Sequence, residues 1–227
     1  MRHVLLLMLF VSFAASGRAG DELNCLTADE RAEAALYAQL QQQAYAALDR
    51  REKAFELLKT PEQIHAYQQR LRAFFIEQLG GLPEQTDLNA RTVRMIEADG
   101  YRIENVIFAS RPNHHITANL YLPDGDKAVP GVVVSSGHSR TGKTADYNQR
   151  FGIMMAKHGM AALCFDPIGQ GERSQVLNSE GQPEFGSTTT EHILIGVGST
   201  LVGRSTASYR IWDSMRAIDQ QFPMNLE

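Results

Sequence analysis

The chain has 227 residues, 43% hydrophobic and 21% charged, the balance of a globular protein with room for one large domain or two small ones. Its 22 basic and 26 acidic side chains give a formal charge of -4. It therefore lacks the basic footprint of a nucleic-acid-binding protein, and nucleic acid is not expected as a partner.

Arg2 and His3 precede an apolar run from Val4 to Ala15 and small residues ending at Gly17 or Ala19. That pattern predicts a secretory signal peptide over residues 1–19. The run is too short for a membrane span. Cys25 follows Glu22, Leu23 and Asn24 instead of the small apolar residues that precede a lipidated cysteine. The expected location is secreted or periplasmic, with no stable membrane anchor after cleavage. Cys25 and Cys164 leave the redox state open, because a bridge between them cannot be read from spacing.

Residues 20–83 read as a helical arm. Thr27 and Glu30 form a capping box for a helix running past Leu48. Thr60, Pro61 and Gln63 open a second helix, along which Ile64, Tyr67, Leu71, Phe74, Phe75 and Leu79 recur at helical spacing. This stripe predicts core packing, and Gly80-Gly81 ends the helix.

From Arg91 the period becomes two. Segments around 91–97 and 101–110 flank Asp99-Gly100, a hairpin signal, and a further strand follows from Ile116 to Pro123. His114 and His115 fall in the turn before that strand. Neighbours in an extended chain point to opposite faces, and no third ligand lies at suitable spacing, so no metal is assigned.

Residues 131–136 form a continuous apolar strand, expected to be buried on both faces. Tyr147, Phe151, Met154, Met155 and His158 mark a helix that Gly159 ends, and 161–165 is a second buried strand. This is a βαβ unit whose functional edge lies at the strand ends, where Gly137 and Asp166 fall. The loop between them supports two chemistries. Gly137 to Thr144 matches GxxxxGK[ST], which makes Lys143 and Thr144 candidate nucleotide-binding residues, with Asp166-Pro-Ile-Gly169 in the place of a switch. The rival reading uses the loop's backbone N–H groups to stabilise an oxyanion.

The spacing favours the second. Only one helix and one strand fit between Lys143 and Asp166, antiparallel strands precede the loop, and no Asn-Lys-x-Asp motif follows. Gly169-Gln-Gly171 and Gly196-Val-Gly198 lack the third glycine of a dinucleotide fingerprint, so no cofactor is expected.

The segments GGLPEQTDLNARTV, YRIENVIFASRPNHHITANLYLP, VVVSSGHS, FDPIGQGER and TTTEHILIGVG with GRSTASYRIWDSMRAID fall within Arg70 to Phe222. In these the chain resembles secreted bacterial α/β hydrolases of the acetyl xylan esterase type, more distantly dienelactone hydrolases and prolyl-oligopeptidase-like enzymes. The resemblance implies an α/β fold in which residues 84–227 form the N-terminal half of a hydrolase sheet, antiparallel strands and then parallel βαβ, preceded by the helical arm. It implies serine-dependent hydrolysis of a small-molecule or carbohydrate ester. It also places His138 as the oxyanion-hole N–H donor, with Gly137 and Ser139 beside it. Asp166, Gly169 and Gly171 would shape the following loop, and Glu172 and Arg173 would line the pocket rim or pair in solvent.

Thr188 to Glu191 reads as a capping box for a helix carrying His192, a candidate pocket residue. Ile211, Trp212, Met215, Ile218 and Phe222 mark a last helix, on which Arg210 and Asp213 are spaced to pair. No serine stands in a Gly-x-Ser-x-Gly elbow: Gly137-His-Ser139-Arg-Thr and Gly203-Arg-Ser205-Thr-Ala both lack the closing glycine. Nucleophile, acid and triad histidine are thus expected to be missing, as in a catalytically incomplete fragment of a longer esterase. The strand at 131–136 would then be left with one neighbour, an edge that favours aggregation. A non-catalytic binding module remains the third reading.

Overall fold

The computed structural model describes residues 25–33, 35–125 and 127–221. The expected signal peptide and Phe222 lie outside them. The chain divides into two compact units, Met1–Ala66 and Tyr67–Glu227.

In the first unit, α1 (Ala28–Glu33) and α2 (Leu36–Glu56) precede the start of α3 (Pro61–Gln78). The Thr27 box forms: Glu30 N–H donates to Thr27 Oγ1 at 3.2 Å and Thr27 N–H to Glu30 Oε2 at 2.9 Å. It serves only the six-residue α1, because Ala35 is extended at φ -68° and ψ 107° and α2 starts afresh after it. The single helix expected past Leu48 is therefore two.

The α3 box also forms, with Gln63 N–H on Thr60 Oγ1 at 3.3 Å and Thr60 N–H on Gln63 Oε1 at 3.2 Å. Gly80 and Gly81, both at positive φ, close the helix by donating to Glu77 O and Ile76 O. The core expected from its stripe is not found. Ile64, Leu71, Phe74 and Phe75 stay 42–58% exposed and only Leu79, past the helix end, is buried. Spacing gives a helix an apolar face; it does not supply the surface that covers it.

The second unit is built on a five-stranded sheet of order β1-β2-β3-β5-β4: β1 (Arg91–Ala98), β2 (Tyr101–Arg111), β3 (His114–Pro123), β4 (Gly131–Ser135) and β5 (Ala161–Phe165). Strands β1 to β3 form antiparallel hairpins, the first turning at Gly100 with φ 78°. β3 is antiparallel to β5, and β4 is parallel to it with Gly131 opposite Ala161. Helix α4 (Asp146–Lys157) joins β4 to β5. Helices α5 (Thr188–Leu201) and α6 (Thr206–Gln221) follow.

The alternating side chains of the strands make two cores. Val106, Phe108, Ile116, Ala118, Leu163 and Phe165 pack with Ala217 of α6 on one face. Tyr121, Ala162 and Cys164 pack with Ala156 of α4 on the other. β5 lies between them with all five residues buried. β4, expected to be buried on both faces, is only half-buried, because β5 is its one partner among the described residues. Parallel pairing brings Ser135 level with Phe165, so both following loops leave the same carboxyl edge.

Candidate functional site

Asp166, fully buried after β5, organises that edge. Its Oδ1 accepts the Lys143 amide at 2.7 Å, and its Oδ2 accepts the Lys143 ammonium at 2.5 Å and the Thr117 hydroxyl at 2.7 Å. Lys143 also pairs with Glu172, and its side chain is only 4% exposed. Gly142 and Gly171, at φ 51° and 57°, flank the carboxylate so closely that a Cβ on either would overlap Oδ1. These contacts dispose of the phosphate-loop reading. A phosphate-binding lysine and its amides must face an anionic ligand, whereas here an internal carboxylate occupies both, and the Thr144 hydroxyl is spent on Thr141 O at 2.7 Å.

Arg173 is not at a rim but 4% exposed. Its guanidinium donates to Asp166 O at 2.8 Å and to Asp213 Oδ2 at 2.7 Å, while Asp213 Oδ1 accepts the Ser110 hydroxyl at 2.6 Å. Asp213 therefore pairs across the fold, not with Arg210 on its own helix. His114 opens β3 instead of lying in a turn, which Asn113 makes at φ 60°. Its Nε2 is 2.8 Å from the Arg173 guanidinium and 3.4 Å from Asp213. Burial raises the Asp213 carboxyl, but the His114 ring, the Arg173 charge and the Ser110 hydroxyl outweigh it and hold the group below 3.8. The Cys164 thiol is pushed up to about 12 by burial alone, and Cys164 and Cys25 are both free.

The loop after β4 carries Gly137, His138 and Ser139. Ser139 N–H donates to the buried Gln170 at 2.5 Å, and its hydroxyl contacts Thr141. His138 N–H has no acceptor among the described residues, and its side chain is exposed. The His138 and His192 rings lie 5.1 Å apart, with His138 Nε2 3.2 Å from His192 Nδ1. His192 Nε2 is 2.9 Å from Ile168 O, which must be an acceptor. His192 thus carries its proton on Nε2, and its Nδ1 accepts from His138. Burial, with Arg210 and His138 nearby, holds His192 below 6.5. Gly169 admits this ring, since a Cβ there would stand 2.8 Å from its Cδ2.

The box expected at Thr188 does not form. Helix α5 starts at Thr188 itself, and the buried Glu191 accepts Gln175 N–H instead.

A cavity of about 290 Å³ opens between this loop and α6, lined by Ser135, Gly137, His138, Phe165, Arg210 and Asp213 among others. A larger one of about 410 Å³ lies over β1 to β3, by Asn105, Asn119, Lys143 and Glu172, and includes neither ring of the His138–His192 pair. The smaller is the better candidate because only it adjoins an uncommitted amide at the sheet's carboxyl edge. Among the described residues no three His, Cys, Asp or Glu side chains cluster to hold a metal, and no helix is long and apolar enough to cross a membrane. No hydrogen bond described in the second unit joins a serine hydroxyl to an imidazole.

The His114 network went unread in the sequence, although the period of β3 sets His114 on the face of buried Ile116 and Ala118, and Arg210, read as the ion-pair partner of Asp213, lines the cavity instead.

No protein-family profile and no curated protein matches the chain. Solved structures do. A protein assigned as an acetyl xylan esterase of Bacteroides fragilis is 19% identical and aligns over 72% of this chain and 44% of its own length, with a TM-score of 0.55. Acetyl xylan esterase 1 of Thermoanaerobacterium matches more loosely, 16% identical over 67% of this chain and 46% of its own, with a TM-score of 0.47. The chain thus spans less than half the length of either. The first likeness establishes the fold: the mixed sheet and its helices have the α/β architecture of a solved esterase-type structure.

Proposed function

We propose that this chain forms the oxyanion side of a carboxylic-ester hydrolase of the acetyl xylan esterase type, exported to the periplasm or beyond. One observation carries the reading. Of the amides after β4, Ser139 N–H is held by Gln170 and Lys143 N–H by Asp166, while His138 N–H, with Gly137 N–H before it, has no acceptor among the described residues and borders a cavity. A backbone donor fixed at a strand end, with no internal acceptor, is what a developing oxyanion requires. The site as described has no serine–imidazole pair, so the whole protein's turnover of acetylated polysaccharide would draw its nucleophile from outside the described residues.

Amide-resolved NMR with ethyl acetate, a neutral ester, tests the reading. The His138 amide should shift while those of Ser139 and Lys143 stay still. Shifts confined to the latter two would overturn it. Residues 20–227 should form no serine acyl-enzyme with a fluorophosphonate and release no acetate from acetylated xylan; robust turnover through a labelled serine would refute the incomplete-site part of the proposal.

A further inference from the structure

Helix α6 presents Arg210, Asp213, Ser214 and Ala217 at spacings of three and four, so they share one face. Ala217 enters the core, and the first three line the cavity beside His138. The charges of that face are unequally matched. Both Asp213 oxygens are engaged, by Ser110 and Arg173. The other cations of low exposure in these ion pairs have acids: Lys143 has Asp166 and Glu172, Arg173 has Asp213, and Arg216 has Asp219. Arg210, half-buried in the cavity wall, has no acid or hydrogen-bond acceptor for its guanidinium among the described residues, although burial already lowers its affinity for a proton; Arg111 also lacks an acid partner, but it lies over the Tyr209 ring and does not line this cavity.

Desolvating a guanidinium without a partner is unfavourable. The planar fork of arginine is best satisfied by two oxygens of one carboxylate. The remaining walls are serines, glycine backbone, Phe165 and Pro167, none of which supplies a negative charge. At about 290 Å³ the cavity suits a small group, and the same space is bordered by Gly137 and His138.

We propose that Arg210 is a specificity-determining residue that seats a free carboxylate of the substrate, so that this site takes small esters bearing an acid group near the scissile carbonyl. The inference rests on the ester-hydrolase reading for its chemistry, but its test does not depend on turnover.

Calorimetry of the full chain at pH 8 with benzoate, benzamide and inorganic phosphate reads the preference directly. Benzoate should bind at least about tenfold more tightly than its neutral isostere and more tightly than phosphate. Arg210→Gln should abolish the difference, Arg210→Lys should retain part of it, and Arg150→Gln, on an exposed pair of α4, should leave it intact. Equal binding of benzoate and benzamide, a preference that survives Arg210→Gln, or tighter binding of phosphate would overturn the carboxylate assignment. The ethyl acetate shift at the His138 amide separates the two failures: a shift without a benzoate preference sinks only the role of Arg210, and the preference without the shift sinks only the ester reading.

Discussion

Asp166 holds Lys143 twice, through the backbone amide at 2.7 Å and the side-chain ammonium at 2.5 Å. A lysine so engaged braces two loops and is withdrawn from any ligand. Calorimetry with magnesium and ATP or GTP should show no binding. Lys143→Ala should leave that result unchanged and, because it strands a fully buried carboxylate, cost about 3–5 kcal/mol in urea unfolding. Magnesium-dependent binding lost in the variant would restore the phosphate-loop reading.

Gly142 and Gly171 explain why the loop imitates a nucleotide motif. Each has positive φ, and each passes the Asp166 carboxylate without room for a methyl group. Gly181, also at positive φ (75°), faces open space. Alanine at 181 should cost only the backbone term of roughly 1–2 kcal/mol. Alanine at 142 or 171 should cost clearly more, since the carboxylate must shift off Lys143. Equal melting temperatures for the three variants would refute the packing argument.

Asp213 predicts an acid limit to stability. Its folded pKa is below the unfolded one, so the unfolded chain binds the proton more readily and the contribution is fully present above the unfolded value, near 3.8. It is lost as pH falls through the folded value. Asp213→Asn leaves Arg173 buried against a neutral amide and should destabilise by about 3–5 kcal/mol at pH 7. Ser110→Ala removes one bond to the charge and should cost about 1.5–3 kcal/mol. In denaturant melts from pH 7 down to 2, the difference between wild type and Asp213→Asn should narrow at the acid end; a constant gap would contradict the assignment.

Local chemistry was legible in the sequence and long-range chemistry was not. The boxes at Thr27 and Thr60 and the Asp99-Gly100 hairpin depend on residues a few positions apart and form, although the equally local box at Thr188 does not, because Glu191 is taken by Gln175. The pairing of Asp213 depends on a guanidinium 40 residues away and a hydroxyl 103 away, so the nearer Arg210 looked like the partner. His114 reaches Arg173 across 59 residues, and His138 reaches His192 across 54. GxxxxGKT matches a phosphate loop for a physical reason: a loop that must wrap a carboxylate needs the same glycine and lysine as one that must wrap a phosphate.

The His138–His192 contact ties the protonation of His192 to its hydrogen bonds. His192 donates through Nε2 to Ile168 O and accepts through Nδ1 from His138, so a second proton on His192 would turn Nδ1 into a donor facing a donor. Its folded pKa is depressed below the unfolded 6.5, chiefly by burial and then by Arg210 and His138. The contact is therefore stabilising above pH 6.5 and is lost as pH falls from there through the folded value. NMR of the His192 Hε1 proton should give a midpoint under 6.5. Arg210→Gln should move it up only part of the way, because burial, the largest cause, remains. A midpoint at or above 6.5 in the wild type, or one unmoved by Arg210→Gln, would show that Arg210 and His192 do not share the electrostatics of one site.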